Sequence, residues 1–266
     1  MVVRRLDDQN HELLADYRNV PDPELVARRG LFVAEGRLVV TRLLTESSLK
    51  ARSVMVTDAA YGGIRDALDT HPDLPVFVVP QAAMNDITGF NIHRGCLALG
   101  ERAPVTDWRD LARRARRLAV LEAVGNADNV GSVFRNSAAF GIEGVLLGPA
   151  CADPLYRKAI RTSMGAALTI PCTPVDEWPG ALAVLRSLGF AVIGMTPALN
   201  APPLRDVAVV VAHRPCAIVL GHEGDGITRA ALDACDYRAR IPMAAGVDSL
   251  NVATAAAVAF YELASR

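Results

Sequence analysis

Aromatic residues make up only 5% of this 266-residue chain, and lysine is almost missing: Lys50 and Lys158 are the only two, against a Lys plus Arg total of 28. Positive charge therefore sits on arginine, whose planar fork suits phosphate better than an ammonium point charge does. There is no global basic excess, because the formal net charge is −1. Any role on nucleic acid has to rest on local arginine clusters. No run of about 18 uncharged apolar residues occurs, so no membrane-spanning helix is expected. The start, "MVVRRLDDQNHELL", lacks an apolar signal region and predicts a cytoplasmic protein. Cysteine is sparse and unpatterned. Cys96, Cys151, Cys172, Cys216 and Cys235 form no C-x-x-C, which argues against a disulfide framework and against a bound metal. Three of the five lie in apolar strand-like runs, where cysteine packs as a small hydrophobe.

What is present is a core. Hydrophobic residues are 51% of the chain, mostly Ala, Val and Leu, enough for one large domain or two ordinary ones. Residues 1 to about 100 mix helix-like stretches, "ELVARRGLFVAEGRLVVTRLLTES", with β-branched runs, "SVMVT" and "PVFVVP". Residues 101–117, "ERAPVTDWRDLARRARR", are polar and then turn into a basic amphipathic helix, which reads as a linker whose arginines form a solvated face, with contact to phosphate as the alternative. From 118 to 266, apolar runs alternate with helical patterns. "LAVLEAV", "GVLLG", "LTIPC", "FAVIGMT", "VAVVVA", "CAIVLG" and "YRARIPM" read as strands, with a final helix from Ser249. Runs without in/out alternation predict strands covered on both faces, hence an α/β class with a mainly parallel sheet.

In such sheets ligands bind beyond the carboxyl ends of the strands. That selects three polar insertions: "GNADNVGSVFRNS", "GHEGDGIT" and "MAAGVDSLN". The Gly-rich middle one lacks the Lys-Ser/Thr of a P-loop and the G-x-G-x-x-G of a dinucleotide site, which argues against a dehydrogenase. By itself it reads as a tight strand-to-helix turn.

Together, N-x-G-x-x-x-R in "NVGSVFR", L-G-x-E-x-x-G in "LGHEGDG" and I-P-M…S-L-N-V in "IPMAAGVDSLNV" resemble the three motifs of the SpoU (TrmH-like) branch of the SPOUT RNA methyltransferases. "IRTSMGAALTIP" is similar to the S-x-G-A segment of that family. More loosely, "GLFVAEGRLVV" and "ITGFNIHRGCLAL" resemble the RNA-binding domain of its longer members. The resemblance implies an N-terminal substrate-binding domain over 1–100 and a SPOUT domain with a C-terminal trefoil knot over 118–266. It also implies a homodimer, S-adenosyl-L-methionine as methyl donor, and a ribose 2′-hydroxyl of structured RNA as acceptor. The extra N-terminal domain is similar to members acting on large-subunit ribosomal RNA; transfer RNA and a silent RNA-binding or assembly role are the alternatives.

Carried over by motif, the contacts of the methyl donor fall on Thr196, Leu220, Gly221, Glu223, Gly226, Ile241, Met243 and Leu250. The resemblance implies catalytic roles for Asn129, Arg135, Glu223, Ser249 and Asn251. Glu223 has a structural alternative, capping a helix near Thr228. Arg135 stands among apolar residues on its helix, so a partner is expected for it. Because a guanidinium keeps its proton, the chemistry favours Arg135 as a clamp on the acceptor phosphate rather than a base. Ser249 is a favoured N-cap residue, with Asp248 competing, whereas Asn251 in the first turn is a poor helix former. For RNA, Arg157, Lys158 and Arg161 form a basic helix face, with an ordinary solvated face as the alternative; Arg28, Arg29 and Arg94 (beside His93) are further candidates.

Overall fold

The computed structural model describes residues 2–8, 10–18, 21–89 and 95–264. The chain divides into two compact units, Met1–Pro104 with Pro154–Thr169, and Val105–Asp153 with Ile170–Arg266. In the first unit five strands form one mixed sheet: β1 (Val2–Arg5), β2 (Leu31–Glu35), β3 (Ala51–Val56), β4 (Pro75–Val78) and β5 (Cys96–Glu101). Their order is β1-β4-β3-β5-β2, with β5 antiparallel to both its neighbours. Helices α1 (Arg37–Thr45), α2 (Asp58–Tyr61), α3 (Arg65–Asp69) and α4 (Gln81–Thr88) complete the unit with a short π-helix, Glu24–Arg28.

Two expectations change here. Leu31–Glu35, read from the sequence inside a helix-like stretch, is a strand. Phe32 and Ala34 join one apolar cluster while Leu31 and Val33 join another, the period of two that puts alternate residues on opposite faces. The sequence reading also assigns Pro154–Thr169 to the second half. Its apolar residues instead enter the first unit, where Leu155, Ile160 and Leu168 pack in the cluster of Phe32, Val40 and Leu43.

The second unit holds six parallel strands: β6 (Arg117–Leu121), β7 (Gly144–Leu147), β8 (Cys172–Pro174), β9 (Ala191–Met195), β10 (Cys216–Leu220) and β11 (Tyr237–Ala239). The order is β11-β9-β10-β6-β7-β8. From β6 the chain steps outward through β7 to β8, then returns to the far side, and β10 enters between β9 and β6. That reversal opens a crevice at the carboxyl ends of the central strands. Leu118–Leu121 and Ala217–Leu220 are buried throughout, as strands covered on both faces must be.

The helices are α5 (Trp108–Arg114), α6 (Ala127–Ala139), then α7, the Arg157–Thr162 helix of the first unit, α8 (Gly180–Ser187), α9 (Leu204–Val211), α10 (Arg229–Ala234) and α11 (Val252–Ala264). Residues 105–117 are not a free linker. Asp107 caps α5 through the Arg109 N–H at 2.9 Å, and Trp108 and Ala112 sink into the core of the second unit. The arginines of α5 do form a solvated, ion-paired face: Arg113 meets Asp110 at 2.7 Å and Arg109 reaches Glu177 at 3.4 Å. "VAVVVA" is helical, not a strand. Leu204, Val207, Ala208 and Val211 are buried while Val209 and Val210 are exposed, a helical spacing that the all-apolar composition hides.

All five cysteines are free thiols. Burial pushes Cys96 and Cys235 up to about 12, so both stay protonated near neutrality and the reactive thiolate is scarce. At pH 8 a thiol-specific chromogen should label these two far more slowly in the native chain than in denaturant; prompt native labelling of both would contradict this packing. No helix among the described residues is long and apolar enough to cross a membrane.

Candidate active site

The site is built from the three loops at the carboxyl end of the second sheet. In the first, Asn126 caps α6 by accepting the Asp128 N–H at 2.9 Å. Asn129 and Asn136, seven residues apart, share one side of that helix, and both face α11. Asn136 Nδ2 donates to the Ala253 carbonyl at 2.7 Å, and Asn251 Nδ2 donates to Asn129 Oδ1 at 3.0 Å. Asn129 Nδ2 in turn donates to Glu223 Oε1. A hydrogen-bonded chain, Glu223–Asn129–Asn251, thus ties together three segments that are remote in sequence.

Asn251 also corrects the expected helix start. Its Oδ1 accepts the N–H groups of Ala253 at 2.9 Å and Thr254 at 3.4 Å, so Asn251, not Ser249 or Asp248, caps α11. The poor helix former is a good cap, and its amide still has a hydrogen to donate sideways to Asn129.

The second loop is closed on itself. The backbones of His222 and Gly226 exchange both hydrogen bonds, at 3.1 and 3.0 Å. His222 Nδ1 accepts from Gly224 N at 3.0 Å and Asp225 N at 3.2 Å. Gly226 turns the chain at φ +69°. A Cβ on Gly221 would stand 2.3 Å from Gly226 C and 2.4 Å from Ile227 N, so only glycine permits this closure. Thr228 caps α10 itself, accepting from Ala231 N at 3.3 Å. Glu223 is left free of any capping duty.

These loops wall a cleft beyond β9, β10 and β11. Thr196, Leu220, Gly221, Glu223 and Gly226 line one part of it, and Ile241, Met243, Ser249 and Leu250 another. All eight residues expected to hold the methyl donor are therefore brought to one cavity. His222, Val252 and Ala255 line it as well, and the motif comparison alone does not single them out. Leu220, Ile241, Met243 and Leu250 offer apolar surface, while the strand-end backbone and Glu223 offer polar contacts, the usual make-up of a small-molecule site. Among the described residues no group of three or more His, Cys, Asp or Glu side chains is placed to hold a metal ion.

Arg135 departs from expectation. It is exposed and, among the described residues, makes no hydrogen bond or ion pair, although Val133 and Phe134 beside it are buried. It follows the helix about 100° round from Asn136, so its guanidinium faces solvent instead of joining the asparagine chain.

The RNA candidates fall in the first unit. Arg157 N–H bonds Asp22 at 2.9 Å, and Lys158 and Arg161 are exposed on the same helix. Burial pushes the Asp22 carboxyl up, against the pull of Arg157. Arg28 is exposed, but Arg29 is already spent on Glu24 at 2.9 Å and Asp16 at 3.3 Å. Arg94 and His93 lie outside the described residues.

One important residue escapes the sequence reading. Glu122, at the end of "LAVLE", is only 2% exposed. Its carboxylate accepts Trp178 Nε1 at 2.5 Å, Thr228 N at 2.8 Å and Thr228 Oγ1 at 2.7 Å. It thereby anchors the end of the glycine loop to β6. The only signal was an acid closing an apolar strand. Glu122→Ala removes the shared acceptor of three half-buried donors, each able to turn partly to water, at about 0.5–1.5 kcal/mol per bond. A drop of about 1–3 kcal/mol in urea-unfolding stability is expected, and an unchanged midpoint and slope would refute the anchor.

The profile of the SpoU rRNA Methylase family matches residues 116–261. The chain belongs to this family. A protein of Mycobacterium tuberculosis (strain H37Rv), named as an uncharacterized tRNA/rRNA methyltransferase, is 40% identical to this SpoU-family chain over 264 residues, covering 98% of it and 91% of the relative. Among solved structures, the SpoU methyltransferase AviRb from Streptomyces viridochromogenes in complex with AdoMet superposes with a TM-score of 0.81 at 22% identity, over 96% of this chain and 98% of that one. An AdoMet-bound rRNA methyltransferase from Sinorhizobium meliloti gives 0.82 at 21%, over 98% and 97%. At such identities the likeness speaks for the fold, and the fold is that of the SpoU methyltransferases.

Proposed function

We propose that this SpoU-family chain transfers the methyl group of S-adenosyl-L-methionine to a ribose 2′-hydroxyl in structured RNA, ribosomal RNA before transfer RNA. The reading extends to a cytoplasmic homodimer joined through the second unit, whose last segment passes through a trefoil knot. The observation that carries it is the Glu223–Asn129–Asn251 chain beside a cleft walled by strand ends. Exposed apolar side chains on α9 and α11, Val210 at 64% and Tyr261 at 61%, support a second copy.

The residues present fit the methyl donor. Leu220, Ile241, Met243 and Leu250 would flank its adenine, and the backbone at Gly221 can approach closely because nothing projects from it. When bound, S-adenosylmethionine supplies an electrophilic methyl on a sulfonium. Ser249, on the cleft wall, and Asn251, fixed by capping α11, hold the acceptor ribose in line. Glu223 locks Asn129, and Asn129 locks Asn251, so the acceptor side is organised before RNA arrives. Arg135, free of protein partners among the described residues, takes the acceptor phosphate in its fork and screens the charge that develops on the attacking oxygen. The proton leaves to that phosphate or to water. Most of the acceleration comes from holding two reactants in attack geometry.

Mapping 2′-O-methylation at nucleotide resolution, in cells with and without the gene, tests the target. The proposal expects loss of one or a few ribose marks in ribosomal RNA. Loss confined to transfer RNA would transfer the assignment there, and an unchanged map would end it.

A further inference from the structure

The second unit has another concavity, at the amino ends of β6 and β10, opposite the end that carries the cleft. It encloses about 270 Å³, toward the small end of ligand pockets. Its floor is apolar: Ile142, Val211, Ile218 and Phe260 line it, with Leu263 near the end of α11. Its rim is basic, formed by Arg116, Arg117, His213 and Arg214.

These arginines are not used up. Arg116 Nη2 reaches the His213 carbonyl at 3.3 Å and Arg214 Nη1 the Tyr237 hydroxyl at 3.5 Å, both long, neutral contacts. Among the described residues none of the three guanidiniums makes an ion pair. The neighbouring carboxylate, Glu143, is engaged by the backbone N–H groups of Arg116 and Arg117. The three guanidiniums also act on one thiol of the lining. Burial pushes Cys216 up, and Arg214, Arg117 and Arg116 each pull it down. Three positive charges less the one of Glu143 leave about two, the charge of a phosphomonoester at neutral pH. A carboxylate ligand would leave half of that uncompensated.

We propose that this basin is a second ligand site, for a small phosphomonoester with an apolar or flat organic part, such as a nucleoside monophosphate. The arginine fork takes the phosphate, and the mouth of the basin, above a buried apolar floor, leaves room for a small organic part. The same guanidiniums could meet phosphate in two forms, as a free monoester or as the RNA backbone; the basin's enclosure and its charge favour the free form.

Calorimetric titration of the full chain with uridine 5′-monophosphate tests this, with uridine, inorganic phosphate and an RNA oligonucleotide lacking terminal phosphate as parallel arms. The expected result is one site per chain, with uridine and inorganic phosphate each at least about tenfold weaker. Arg117→Gln with Arg214→Gln should weaken the monophosphate at least about tenfold, roughly the loss of one charge-assisted contact. Uptake of S-adenosylmethionine by that variant should stay within about twofold, which also reports that it is folded; should it not fold, Arg214→Lys, which keeps the charge but not the fork, carries the same expectation of weakened binding. No uptake of the monophosphate, equal binding of uridine, or undiminished binding in the variant overturns the proposal. So does oligonucleotide binding that depends on Arg117 and Arg214 and matches the monophosphate, since that assigns the basin to RNA.

Discussion

Arg135→Ala should lower methyl transfer to RNA by about 100- to 1000-fold, the usual loss when one preorganised charge-stabilising donor is removed, and leave S-adenosylmethionine affinity within about twofold. The separation follows from where the residue sits. Arg135 is on α6 but does not line the cleft, so the methyl donor should not register its loss. It is exposed and has no partner among the described residues, so stability should move by no more than about 0.5 kcal/mol, as for ordinary surface positions. A stability effect and a rate effect are therefore not confounded. Arg135→Lys keeps the charge but loses the fork, and should recover only part of the rate. Measured turnover and calorimetric affinity on the same preparations decide it; undiminished turnover in the alanine variant would remove Arg135 from the reaction.

Gly221→Ala is expected to have the larger effect on binding. The added carbon would sit 2.3 Å from Gly226 C and 2.4 Å from both Gly226 O and Ile227 N. All three are backbone atoms in a loop already closed by the His222–Gly226 pair, so nothing flexible can move aside. Relief requires opening the loop that walls the cleft. Overpacking of this kind costs about 1–3 kcal/mol, and most of it should appear as weakened S-adenosylmethionine uptake, of the order of tenfold to a hundredfold. Gly246→Ala makes a useful contrast. Gly246 has φ +85° and no atom within 4 Å of its would-be Cβ, so that change brings local backbone strain without a clash. Equal effects from the two substitutions would argue against close approach as the reason for glycine at Gly221.

The parallel sheet was legible because its strands are buried on both faces and read as unbroken apolar runs, as in "LAVL" and "CAIVL". The same feature misled at "VAVVVA". After Arg205 and Asp206 in its first turn, α9 carries no polar residue to show its period, and the burial of Leu204, Val207, Ala208 and Val211 reveals it. The cleft residues could be named because the motifs that carry them resemble those of the SpoU family. What the linear order could not convey was which side chains pair. Asn251 looked out of place in a helix until the Ala253 N–H and Asn129 gave both ends of its amide a partner. Glu122 was invisible for the complementary reason: its donors, Trp178 and Thr228, lie 56 and 106 residues away. Arg135 was expected to need a partner because its helix neighbours are apolar. One residue's rotation, about 100°, is enough to carry it from the buried side to solvent. The unit boundary at Pro154–Thr169 depends on which core receives Ile160 and Leu168, a tertiary choice that local composition does not encode.

The most direct test is to incubate the purified chain with methyl-labelled S-adenosylmethionine and RNA from cells lacking the gene, digest the product to nucleosides, and identify the labelled one by mass spectrometry. The account predicts label on a 2′-O-methylated nucleoside, in ribosomal RNA, and its loss with Arg135→Ala. Label on a base, or no transfer by folded protein, would contradict it.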